Sequence, residues 1–152
     1  MSEILAPVSF GELLDKVTIL QIKSERMEDP VKVANVRKEL DALQRIWNAH
    51  PASNTDISLL MARLKAVNER LWVIEDDIRI LEKGQRFDNE FVQLARSVYF
   101  ENDERAHIKK EICFSFCIFY GIRSVHCILL QRFSKHFSNS TFFGHYRICV
   151  PN

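Results

Sequence analysis

Eight apolar residues recur between residues 57 and 81 at alternating spacings of three and four, and no other feature constrains the fold as strongly. They are Ile57, Leu60, Leu64, Val67, Leu71, Ile74, Ile78 and Leu81. These spacings place all eight side chains on one side of an α-helix through about four heptads. A helix over about residues 56–83 has to bury this seam against other helices, which predicts an all-α fold.

Start signals predict the other helices. Ser9 and Glu12 have the spacing of a capping box, and Asp29-Pro30 supplies an N-cap followed by a proline at the first helical position. Asp88 is a similar cap for a fourth helix. Residues 50–54 are predicted to form a loop, because the residue before a proline avoids helical geometry.

Three finer predictions concern helix ends. Either Asn54 or Thr55 is expected to cap the long helix, and Gly84 is expected to close it. Asn102-Asp103 is expected to bend or restart the fourth helix, because short polar side chains compete for backbone hydrogen bonds. The architecture that follows is an antiparallel helical bundle with the long helix as its spine.

The distribution of charge and cysteine divides the chain near Ile112. Residues 1–111 hold all 20 acidic residues and 17 of the 21 Lys and Arg, a net charge of −3, whereas residues 112–152 have a net charge of +4. All four cysteines and seven of the eleven phenylalanines also follow Ile112. We therefore expect a helical domain over residues 1–112 and an atypical Cys- and Phe-rich tail over residues 113–152.

Five segments of the helical region form a set of motifs: residues 7–16 (PVSFGELLDK), 22–26 (IKSER), 35–40 (NVRKEL), 71–76 (LWVIED) and 94–99 (LARSVY), the last followed by Asn102-Asp103. Together they resemble a family of small bacterial proteins that is catalogued as a domain of unknown function. The resemblance covers about residues 3–112. It implies an all-helical fold and a bacterial or phage origin, and it supplies no activity and no site residues.

The tail departs from the pattern of that family. We interpret it as an out-of-frame or otherwise aberrant extension, or as a poorly ordered one. Two alternatives stay open: Cys113 with Cys117 and His145 with Cys149 have a spacing that can bind zinc, and residues 112–130 are long and apolar enough to span a membrane. We predict no metal and no cofactor, and we do not expect membrane contact, for which residues 112–130 are the one candidate segment.

Other function classes have little support in the composition. A net charge of +1 over 152 residues provides no basic surface for nucleic acid, and the four glycines are too isolated to form a phosphate-binding loop. The N-terminus lacks the basic start and apolar run of an export signal. We therefore expect a cytoplasmic protein with reduced cysteines.

Polar residues on the helices supply one candidate ligand-binding site, and the sequence indicates no catalytic residue in it. Helical bundles can gather inward-facing basic and polar side chains into a pocket for a small anion, as cofactor-free enzymes do. The candidates are Lys23, Arg37, Asn68, Glu75, Arg79, Asn102 and Arg105.

We nevertheless predict a non-enzymatic interaction or structural module. A long two-seamed helix in a small chain favours a homo-oligomer, such as a dimer, or pairing with another helical protein. The alternative is a small cofactor-free enzyme or anionic-ligand binder built on the seven candidate residues.

Overall fold

The computed structural model describes residues 6–120, and every regular element in that range is helical. Its helices are α1 (Phe10–Arg26), α2 (Pro30–Ala49), α3 (Ser58–Lys83) and α4 (Asn89–Tyr120), and a short 3-10 turn at Pro51–Asn54 precedes α3. The predicted all-α fold class is confirmed. The tail from residue 121 onwards lies outside the described residues, and with it most of the 112–130 segment and the zinc candidates His145 and Cys149.

The helices α1 and α2 begin where their caps were expected. The Ser9 hydroxyl accepts a hydrogen bond from the Glu12 amide at 3.2 Å, and Asp29 Oδ1 accepts from two amides of the first turn of α2. The second half of the predicted capping box does not form. The Glu12 carboxylate contacts Lys109 of α4 at 2.8 Å instead, because a tertiary ion pair competes for it.

The ends of α3 differ from the prediction. Neither Asn54 nor Thr55 caps the helix, because they form the end and the C-cap of the 3-10 turn. The N-cap is Ile57, and Asp56 just before it accepts from the Ser58 amide through Oδ1 at 3.0 Å. This hydrogen bond from the Ser58 amide lowers the pKa of Asp56. Gly84 is the C-cap as expected, but the left-handed conformation falls one residue later, on Gln85, with φ of 53°.

The predicted restart of the fourth helix at Asn102-Asp103 is wrong. The helix α4 continues through Asn102-Asp103 without interruption and, at 32 residues, is about 48 Å long. The Asn102 side-chain amide donates to the Val98 carbonyl one turn earlier at 2.9 Å, so it shares an acceptor with the helical backbone and does not interrupt the helix. The predicted loop at residues 50–54 takes the form of the 3-10 turn, and its Ala52 is fully buried.

The helices α3 and α4 form an antiparallel hairpin, across which α1 packs, and α2 packs on α1. The core lies at the end of the hairpin that α1 covers. It joins one side chain of α1 and one of the turn to apolar residues of α3 and α4. Its members are Leu14, Ala52, Ile57, Leu64, Val67, Leu71, Ile108, Ile112 and Phe116.

An aromatic cluster closes this core near the end of α4. Phe116, which is 2 % exposed, lies with its ring centroid 4.5 Å from that of Phe10 and 5.8 Å from that of Trp47. Trp47 therefore packs against the core as a partly buried residue. The helix α4 runs eight residues past Ile112, the predicted end of the helical domain, and places Phe116 in the core.

Candidate functional site

A small polar cluster lies inside the interface of α1, α3 and α4. Asp15 and Thr18 are on α1 and Asn68 is on α3, and all three are at least nine-tenths buried. Asp15 and Thr18 follow directly after the buried residues Leu14 and Val17, so they occupy the margin of the apolar face of α1. That register turns two polar side chains of α1 towards α3.

Hydrogen bonds join the three side chains. The Asn68 amide donates one hydrogen to Asp15 Oδ1 and the other to Thr18 Oγ1, each at 2.9 Å. The Thr18 hydroxyl in turn donates to the Asp15 carbonyl at 2.8 Å. Asn68 Oδ1 is buried and has no hydrogen-bond partner among the described residues. The cluster is therefore one donor short of being fully satisfied.

Lys109 of α4 balances the charge of the cluster. Its ammonium lies 3.3 Å from Asp15 Oδ2 and 2.8 Å from Glu12 Oε1, and its side chain is mostly buried. A buried carboxylate needs such a partner, because an unpaired charge inside a protein is very costly. The arrangement orients α1 on the hairpin; it contains a carboxylate and an ammonium that bind each other and no activated nucleophile.

A second polar network lies on the opposite, solvent-facing side of the hairpin. Arg63 of α3 donates to Glu104 at 3.0 Å and to Glu111 at 2.6 Å, and Glu111 also contacts His107 at 3.0 Å. The hydrogen bond to Glu104, followed by that to Glu111, raises the pKa of Arg63. Arg70 pairs with Glu101 in the same way at 2.9 Å. These pairs join α3 to α4 along their antiparallel interface.

The seven residues predicted as a ligand site are distributed over all four helices. Asn68 belongs to the buried cluster, Glu75 and Arg79 pair with each other on the exposed side of α3 at 3.3 Å, and the Asn102 side chain donates to the Val98 carbonyl. The side chains of the remaining three cations, Lys23, Arg37 and Arg105, form no hydrogen bond or ion pair within the described residues.

Within residues 6–117, only the Glu75–Arg79 pair joins the side chains of two of these seven residues. Arg37 is exposed on α2, whereas Lys23 and Arg105 are half-buried. A shared ligand pocket therefore stays a prediction.

Sequence reasoning missed Thr18 and Lys109 of the buried cluster and Arg63, Glu104 and Glu111 of the surface network. Thr18 lies four residues from both Leu14 and Ile22 on α1, which is a usable signal for a buried hydroxyl. The ion pairs join residues more than 40 positions apart. Such pairs depend on how the helices are aligned, which no local pattern reveals.

Within the described part of the chain, none of the helices is both long and apolar enough to cross a membrane. In the same part of the chain, no three His, Cys, Asp or Glu side chains come together as a possible metal site. No protein-family model matches the sequence, and no curated protein or solved structure shows significant similarity to it.

Proposed function

We propose that this protein is a non-enzymatic helical interaction module whose contact surface is the distal hairpin, which we define as residues 72–100. The observation that carries the proposal is how few side chains are buried along this segment. Between Leu71 and Ile108, the only buried residue is Leu81. The apolar seam between the two helices is thus partly exposed to solvent over more than three turns of each helix.

The distal hairpin is also rich in exposed apolar side chains. It holds six of the eleven large hydrophobic residues that are exposed in the described part of the chain: Val73, Ile80, Phe87, Val92, Tyr99 and Phe100. Ile80 is 67 % exposed and Phe100 is 60 % exposed. Soluble monomers rarely expose large clustered apolar areas unless a partner covers them.

The distal hairpin exposes apolar side chains because too few helices pack around it. Two helices bury only the stripe between them, so stable helical domains add further helices on each side. Here α1 supplies that cover at the end of the hairpin that holds Asn68 and Lys109, where it is anchored by Asp15. Beyond Leu71 the seam residues Ile74 and Ile78 are only half-buried. A helical partner would complete this end of the bundle.

Site-specific photo-crosslinking in cells that produce the full chain tests the proposal. A photoreactive amino acid at Ile80 or Tyr99 is expected to yield discrete crosslinked species, which mass spectrometry identifies as a second copy or as another protein. The same amino acid at Lys38, which is exposed on α2 and outside the hairpin, is the matched control. Crosslinks that are absent from the hairpin, or equally frequent at Lys38, would contradict the proposal.

A second candidate function is the binding of a small anion. It is favoured by Lys23 and Arg105, two half-buried cations that have no counter-ion within the described residues. Thermal denaturation with and without millimolar dicarboxylate or phosphate tests this candidate. A stabilisation that Arg105→Ala abolishes would support it, and unchanged melting temperatures for the full chain would remove it.

A further inference from the structure

The side of α4 that faces away from α3 carries a compact set of exposed residues. Val92, Arg96, Tyr99, Phe100 and Asp103 are spaced so that they fall within about 100° of arc around the helix. All five are exposed, and the rings of Tyr99 and Phe100 touch edge to face with centroids 5.7 Å apart. We call these five residues the α4 outer patch.

The two charged residues of the α4 outer patch have no partner within the described residues. Arg96 lies three residues before Tyr99, and Asp103 lies three residues after Phe100. This sets Arg96 apart from three other arginines of the hairpin, since Arg70, Arg79 and Arg86 all contact carboxylates at 3.3 Å or less. The patch therefore presents a free cation, two aromatic rings and a free anion in that order.

When a second copy of the helix runs in the opposite direction, its anion faces the cation of the first copy and its cation faces the anion. A two-fold axis between Tyr99 and Phe100 would bring Arg96 of each copy to the level of Asp103 of the other. Tyr99 and Phe100 lie on opposite flanks of the patch, so the same axis would place each ring against its own counterpart in the second copy. In an antiparallel pair, side chains on the same flank of the two helices meet, and Arg96 and Asp103 share a flank because they are seven residues apart. A parallel pair would instead align like charges.

We propose that a second copy of this chain docks on the α4 outer patch in antiparallel orientation. This inference rests on the proposed function, for which it names the surface and the partner. Aromatic side chains cover about 150–250 Å² each when buried. With Tyr99 51 %, Phe100 60 % and Val92 48 % exposed, the patch offers roughly 300 Å² of apolar area per copy. A standard interface takes about 800 Å² per partner, so the dimer is weak and depends on concentration.

Charge reversal tests both the surface and its symmetry. Sedimentation of the full 152-residue chain, under reducing conditions and at micromolar to millimolar concentration, is expected to show a reversible monomer–dimer equilibrium. Arg96→Glu alone, or Asp103→Arg alone, places like charges opposite each other twice per dimer and is expected to raise Kd at least tenfold. The double variant Arg96→Glu/Asp103→Arg restores opposite charges and is expected to return Kd to within about threefold of the parent value, since each tenfold step is about 1.4 kcal/mol.

Neither residue forms an intramolecular hydrogen bond or ion pair within the described residues, so the variants are expected to keep the parent fold, which far-UV circular dichroism checks. Lys38→Glu on α2 is the charge-matched control and is expected to leave Kd unchanged. A parent chain that stays monomeric, or a double variant that is not rescued, would overturn the inference. If the hairpin still crosslinks to a different protein in cells, the proposed function stands; if it crosslinks to nothing, both fail.

Discussion

Asn68 of α3 and Asp15 of α1 form a buried hydrogen bond of 2.9 Å between the side-chain amide and the carboxylate. Both residues are at most 6 % exposed, and the lysine that balances the carboxylate comes from α4. This hydrogen bond and the ion pair beside it thus tie together three helices through Asp15. Because buried polar groups are costly when unpaired, this contact also penalises other alignments of α1 on the hairpin.

Asn68→Asp is expected to be strongly destabilising at neutral pH, by about 3 kcal/mol or more, because it replaces the donor with a second carboxylate beside Asp15. Repulsion raises the pKa of the carboxylate pair in the folded state, so the loss should shrink as the pH falls and one carboxyl takes up a proton. Urea unfolding at pH 7.5 and pH 5 measures this. Asn35→Asp, on the exposed side of α2, is the matched control. An equal loss at both pH values would refute the explanation.

Gly11→Ala is expected to push α1 away from α4. A Cβ at this position would lie 2.5 Å from the Lys109 carbonyl oxygen and 3.1 Å from Cys113 Sγ, and a backbone oxygen has little freedom to move. We expect a loss of about 1–3 kcal/mol in the free energy of unfolding, measured with urea. Gly84→Ala is the control, since its Cβ would meet nothing closer than 3.5 Å. Equal losses in the two variants would argue against a steric cause.

Phe116→Ala is expected to cost about 3–5 kcal/mol, because it removes a buried ring from the aromatic cluster and leaves a cavity. Phe114, on the same helix, is 49 % exposed, so Phe114→Ala should cost far less. Chemical denaturation of the two variants provides the comparison. If both behave like the parent chain, the last turns of α4 do not contribute to the core.

Asp88→Ala is expected to lower the melting temperature at neutral pH, since Asp88 caps α4. The hydrogen bond from the Phe91 amide lowers the pKa of Asp88 below 3.8, its value in an unfolded chain. The charged carboxylate therefore stabilises the fold above that pH, and the contribution is lost as the pH falls through the lower folded-state pKa. Thermal melts should show the gap between variant and parent narrowing below about pH 4. Asp41→Ala, at an exposed α2 residue, should show no such gap.

Much of the secondary structure could be predicted because its causes are local. Helical spacing of apolar residues and the caps at Ser9, Asp29 and Asp88 act within one or two turns, and the helices begin where these signals stand. Errors arose where a distant residue competes for a local group. Glu12 is drawn to Lys109, and so the reciprocal part of its capping box is missing.

The candidate site was less accessible to sequence reasoning. Asn68 was among the predicted residues, but its partner Thr18 and the counter-ion of Asp15, Lys109, were not, since residues of three helices meet there through packing alone. The free charges Arg96 and Asp103 are recognisable only once the partners of their neighbours are known.

The sequence by itself determined that residues 57–81 form a long helix with an apolar seam, because hydrophobic periodicity acts along a single helix. Only the tertiary structure decided how much of that seam is covered. Its first half, with Leu64 and Leu71, is buried under α1, whereas Ile74 and Ile78 are only half-buried. Coverage depends on where α1 crosses the hairpin, and that crossing is set by contacts between residues about 50 or more positions apart in the sequence.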